Sequence, residues 1–194
     1  MFVDPKTNLL NLRSPPVNKK LLIFAFAFLL LTTVSVSAQS NGSVYTPLDG
    51  PKCKTLESTS EGAGYYKGQC PGIGGYKLII EEGDIRQNMT VITPAGKKHD
   101  LNLWSVVGSG FSNLGPRVEW RVKGKSLIPV ALIVRYNVAN PEDSTKGTSW
   151  LVVAKITSGG ICVTDKIAPG PKQNEDARIA ADASGGKACL AVAD

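Results

Sequence analysis

The sequence predicts a mainly β protein, an antiparallel sandwich or open barrel with one C-terminal helix, stabilised by disulfides. Three observations carry this. Arg117-Val118-Glu119-Trp120-Arg121-Val122-Lys123 alternates charged and apolar residues without a break, the period-two pattern of a half-buried strand. Lys77 to Glu81 and Ile85 to Ile92 flank Glu82-Gly83-Asp84 and read as a β-hairpin about a glycine turn. Four cysteines, an even count, are spread over the chain beyond residue 38, with no CxxC among them.

The leader comes first. Lys6, Arg13, Lys19 and Lys20 form a basic start opposed only by Asp4, and the uncharged run Leu21 to Val36 follows. Val36-Ser37-Ala38 offers the small residues that a signal peptidase needs, so residues 1–38 read as a signal peptide cut before Gln39. The run is shorter than the roughly 20 apolar residues of a comfortable span, although retention as an N-terminal anchor is the alternative. The leader holds four of the 22 basic and one of the 16 acidic residues. The mature chain therefore carries 18 positive and 15 negative charges, +3 rather than +6. That balance does not suggest a dedicated nucleic-acid binder, and Lys97-Lys98 and Arg121 to Lys125 read as solvated surface. Residues 39–194 suffice for one domain with its own core, and no second run is suited to stable membrane insertion. The expected location is periplasmic or secreted, the oligomeric state being undetermined.

In an oxidising compartment Cys53, Cys70, Cys162 and Cys189 read as two disulfides. Three pairings are open; Cys53–Cys70 and Cys162–Cys189 are preferred as sequence neighbours flanking separate regions. Each closed loop contributes roughly 3 kcal/mol in the chain-entropy account.

The elements then follow in order. Gln39 to Thr46 is polar and reads as a flexible lead-in, and Tyr45 to Pro51 as a turn-rich wrap. Tyr65 to Cys70 is a short strand, and the glycine-rich turn Pro71 to Tyr76 leads into the hairpin. Asp100 to Val107, with Leu101, Leu103 and Trp104, is another short strand. Gly108 to Pro116, which contains Phe111, reads as a loop. In the alternating strand Val118, Trp120 and Val122 face inward, and Glu119 faces solvent beside Arg117 and Arg121. Leu127 to Val138, Ser149 to Thr157 and Ile161 to Thr164 complete the strands. One helix is expected: Asn174 caps it, Glu175 and Asp176 suit its positive end, and Gly185-Gly186 ends it.

No catalytic constellation stands out. One histidine excludes a His-rich metal site, and His99, between Lys98 and Asp100, reads as part of a surface turn without a GxSxG elbow. Pro71 to Gly75 lacks the Lys-Ser/Thr ending and the following helix of a phosphate loop. Glu81, Asp84 and Glu119 are the carboxylates that a carbohydrate-acting hydrolase would draw on, although charges at a hairpin tip are ordinarily solvated. No cofactor or metal is expected. Trp104, Trp120 and Trp150 are most simply core residues; an exposed one could stack on a sugar or a partner.

The segments YTPLDGPKC, CPGIGGYKLIIEEGD and LGPRVEWRVKGK, with the late Cys162 and Cys189, resemble a group of uncharacterised exported bacterial proteins. The resemblance implies an envelope location and carries no activity or site residue. The expectation is a non-enzymatic envelope domain that binds a protein or glycan, with Tyr76, Trp104 and Phe111 as contacts. A carbohydrate-acting hydrolase and a structural envelope component are the alternatives.

Overall fold

A computed structural model describes residues 41–124, 126–143 and 145–191. The signal-peptide reading lies outside the described residues. Ten strands form one sheet: β1 (Asn41–Pro47), β2 (Lys54–Thr59), β3 (Tyr65–Pro71), β4 (Lys77–Gly83), β5 (Arg86–Ile92), β6 (Lys98–Asp100), β7 (Ser112–Lys123), β8 (Pro129–Ala139), β9 (Gly147–Thr157) and β10 (Gly160–Ile167). The four-residue helix α1 (Leu103–Val106) precedes β7, and α2 (Gln173–Asp182) follows β10.

Two antiparallel meanders, β2 to β5 and β7 to β10, make up the sheet. They join at one parallel pair, Arg86 opposite Ser112, where the Ser112 amide donates to the Ile85 carbonyl at 2.9 Å. Away from that junction β6 pairs with β5 and β1 pairs with the rest of β7. Both meanders contribute to a common core. Leu78, Ile80, Met89 and Val91 come from the first, and Val118, Trp120, Leu132, Val134, Tyr136 and Val152 from the second. Tyr136 stitches the junction, its hydroxyl lying 2.7 Å from Ser112 Oγ and donating to the Gln87 carbonyl at 2.9 Å. The sheet is not closed. The Ile161 amide of β10 reaches His99 Nδ1 of β6 at 3.4 Å, with no strand pairing between them. A smaller core forms on the outer face of β8 and β9, where α2 sets Ala177 and Ala181 against Ala131, Ile133, Leu151 and Val153.

The predicted class is observed, with local differences that have physical causes. The lead-in to Thr46 is strand β1 over its described part, because β7 is longer than its junction with β5 and leaves an edge that needs a partner. Asp100 to Val107 is not a strand. Asp100 ends β6, Asn102 turns the chain with φ 50°, and Leu103–Val106 winds into α1. The loop reading of Gly108 to Pro116 fails from Ser112 onward, since β7 starts there and takes up Gly115-Pro116 at an irregularity. Asn174 is not the cap of α2. Lys172 occupies that position, and the Gln173 side chain anchors the helix, its Nε2 donating to the Ser149 and Ile167 carbonyls.

Both preferred disulfides are present, Cys53–Cys70 and Cys162–Cys189. The second ties the segment after α2 to edge strand β10, beside a bond from the Leu190 amide to the Val163 carbonyl at 2.8 Å. Protein purified without reductant should therefore take up no alkylating label at cysteine. Four labels should appear after unfolding with reductant, and peptide mapping should recover the two named pairs. Any labelled cysteine in the native sample, or a Cys70–Cys162 peptide, would contradict this arrangement. Among the described residues no helix is long and apolar enough to cross a membrane.

Candidate functional site

Two regions bring chemistry-bearing side chains together. The first is the rim at the junction of the meanders. The β4–β5 turn places Asp84 and Ile85 at φ 52° and 56°. A β-branched residue at positive φ is a genuine outlier, since Cβ crowds the backbone there. Asn102, the remaining non-glycine residue with positive φ among the described residues, starts α1 and so sets the position of Trp104. Positive φ at both central residues is what a two-residue hairpin turn requires, so the strain at Asp84 and Ile85, on the order of 1–3 kcal/mol per residue, comes with the tight turn between Gly83 and Arg86. All three residues lie at the end of the molecule that exposes Ile85 (60%), Trp104 (48%) and Phe111 (43%).

Arg86 lies between the two aromatic residues. Its guanidinium stands 5.0 Å from the Phe111 ring centroid, and its Nε donates to the Ser109 carbonyl at 3.2 Å. It also pairs with Asp84. A cavity of about 550 Å³ opens beside Trp104, bordered by Glu81, Asp84, Arg86, Asn88 and Ser109. An adjoining one of about 210 Å³ shares Arg86 and Ser109 and is bordered by Phe111. The Lys67 ammonium, donating to Glu81 at 2.6 Å, holds that carboxyl below its ordinary value against the opposing effect of burial.

The structure thus brings Trp104 and Phe111 to one rim but not Tyr76. Tyr76 packs on Trp120 with ring centroids 6.0 Å apart, at the far end of β4. At roughly 3.3 Å per residue that is about 20 Å away. Trp104 is not a core residue, whereas Trp120 is fully buried. His99 sits half-buried in β6 rather than in a turn, and burial lowers its pKa, with Lys97 adding to the effect.

The second region is the outer face of β7 beneath α2. Glu119 does not face solvent: it is 9% exposed. Its carboxylate accepts from Ser43 Oγ (2.5 Å), Tyr45 OH (3.0 Å) and both Arg178 Nε (2.7 Å) and Nη2 (3.1 Å). Arg121, expected at the surface, is buried and grips Asp182 through Nε (2.9 Å) and Nη2 (2.8 Å). Burial opposes the charge on Glu119, but the bonds from Arg178, Ser43 and Tyr45 outweigh it and hold the carboxyl below its usual value. Asp182 is lowered likewise, with Arg121 overcoming burial. The sequence carries a signal for this cluster. Arg117, Glu119 and Arg121 share the face opposite Val118, Trp120 and Val122, and Ala177 and Ala181, one turn apart, let a helix approach that face closely.

Among the described residues no three His, Cys, Asp or Glu side chains gather as a metal site would. Comparison with protein-family models, with characterised proteins and with solved structures finds no match to this chain.

Proposed function

We propose that this chain is an exported, non-enzymatic envelope protein whose rim binds a glycan or a protein surface. The observation that carries the reading is the joint exposure of Trp104, Phe111 and Ile85 around Arg86. Large aromatic faces supply contact area at low conformational cost, and exposing them is unfavourable unless something covers them. The border of Glu81, Asp84, Arg86 and Asn88 beside Trp104 adds hydrogen-bonding groups around an aromatic platform, which suits a carbohydrate ring. Export is supported by the leader pattern and by the two disulfides.

The test is a glycan array together with affinity capture from envelope extract, using protein exported by its own leader. Trp104→Ala should leave folding intact, because the side chain is half exposed. It should weaken binding roughly 30-fold, the effect of losing about 2 kcal/mol at a central aromatic contact. A partner whose affinity ignores Trp104, Phe111 and Arg86 would overturn the placement. The hydrolase reading draws on Glu81 and Asp84 bordering one cavity. It needs one carboxyl to stay protonated as the acid, and Lys67 works against that at Glu81. Carbohydrate turnover abolished by Glu81→Gln would favour it over simple binding.

A further inference from the structure

Beneath α2 lies a cavity of about 390 Å³ that is separate from the rim. Ile133, Leu151 and Ala177 give it apolar walls, and Arg117, Arg135 and Arg178 line it with Glu119 as its carboxylate. Glu119 is fully engaged by Arg178, Ser43 and Tyr45. Arg117 and Arg135 form no ion pair among the described residues. Three guanidinium groups against one carboxylate leave two positive charges on the lining.

Those two charges sit on neighbouring strands. Val118 pairs with Val134, and Arg117 and Arg135 stand next to them at the irregularity of the β7–β8 ladder between Leu114 and Val118, both lining the cavity. Arg135 is held in position. Its Nη1 donates to Ser149 Oγ at 2.8 Å and to Gln173 Oε1 at 3.2 Å, both neutral acceptors that orient the group without cancelling its charge. Gly115 presses against it; a Cβ there would come within 2.9 Å of Arg135 Cβ. Arg117 stands 6.0 Å from the Tyr45 ring centroid, and Asn174, in the first turn of α2, borders the cavity.

We propose that this cavity binds a small organic dianion, a phosphate monoester or a dicarboxylate, with its charged oxygens between Arg117 and Arg135. Planar guanidinium forks match such oxygens in paired hydrogen bonds. The apolar part of the ligand rests on Ile133, Leu151 and the Tyr45 ring. The volume lies in the range of small-molecule sites. A neutral ligand would leave both guanidinium groups uncompensated.

The test is titration calorimetry and thermal shift on the exported, disulfide-bonded protein, with inorganic phosphate, phenyl phosphate and succinate as probes and phenol as the neutral control. Phenyl phosphate or succinate should bind saturably and raise the melting temperature, weakening as salt rises, while phenol should not. Arg117→Gln and Arg135→Gln should each weaken binding roughly tenfold, the loss of a charged hydrogen-bond donor. Trp104→Ala should leave it unchanged, which separates this site from the rim. Arg117 is exposed, so its variant folds and keeps the test decisive should Arg135→Gln lose stability. No saturable response to any anion up to about 10 mM, or unaltered affinity in Arg117→Gln, would overturn the proposal.

Discussion

Glu119→Ala is expected to lower the stability of the protein by about 3 kcal/mol, measured by chemical denaturation at neutral pH. The carboxylate is the meeting point of β1, β7 and α2, taking Ser43 and Tyr45 from the first and Arg178 from the last. Removing one partner of a buried pair costs about 3–5 kcal/mol, chiefly because the other charge is stranded. The lower end applies here because the Arg178 side chain is 40% exposed and can turn into water, so solvent screening reduces its share. Arg121 keeps Asp182 as its partner. Reverting the stranded charge gives the control: in Glu119→Ala with Arg178→Ala, part of the loss should return. A single variant within 0.5 kcal/mol of wild type would mean that the network does not join α2 to the sheet.

The same cluster sets an acid limit. Folding lowers the carboxyls of Glu119 and Asp182, so their contribution is complete above their unfolded values, about 4.3 and 3.9. It is lost as pH falls through the lower folded values. Wild-type stability should stay level from pH 7 to about 5 on account of these two groups and then fall, and Glu119→Ala should fall less steeply.

Glu119 also shows where sequence reasoning reaches its limit. The alternation from Arg117 to Lys123 identifies a strand and the inward placement of Val118, Trp120 and Val122, because the period-two pattern is a local property of one segment. Whether the opposite face meets water depends on an element more than 50 residues away. Helix α2 was recognisable by its first-turn acids and its alanines, but nothing local says where it docks. The β4–β5 hairpin and both disulfides were legible for the same local reason, a turn in one case and adjacent cysteines in the other, although the turn falls on Asp84-Ile85 and Gly83 ends β4. β1 was not, since Asn41–Pro47 is polar and small and becomes a strand only because β7 offers a free edge. At the rim, the sequence supplies the aromatic residues without showing which of them reach the surface. The exposure of Trp104 and Phe111 follows from the chain's path between the two meanders, which no window of sequence contains, whereas the positive φ at Asp84 and Ile85 belongs to the two-residue β4–β5 turn.

Trp120→Ala should have the largest effect, a loss of about 4–5 kcal/mol. Trp120 is the largest fully buried side chain, and it fills the space between the two meanders against Tyr76 and Gly72. Truncation leaves a cavity there and removes the indole donor that reaches Thr46 Oγ1 at 2.8 Å. Thr46 is buried, so its hydroxyl would lose a partner that water cannot readily replace, adding about 1 kcal/mol. Because Thr46 belongs to β1, the damage should be uneven. Amide exchange over Asn41–Pro47 should accelerate more than over β4 or β9, beyond what the global loss explains. Trp120→Phe, which keeps most of the volume and gives up the donor, separates the two terms and should cost about 1–2 kcal/mol. A uniform rise in exchange would mean that β1 is held by its ladder to β7 alone. Selective loosening of β1 would also release Tyr45 from Glu119 and Arg178, so Trp120→Phe should weaken binding in the cavity under α2 without touching any of its arginines. Stability of the inner face and chemistry of the outer face would then share one strand.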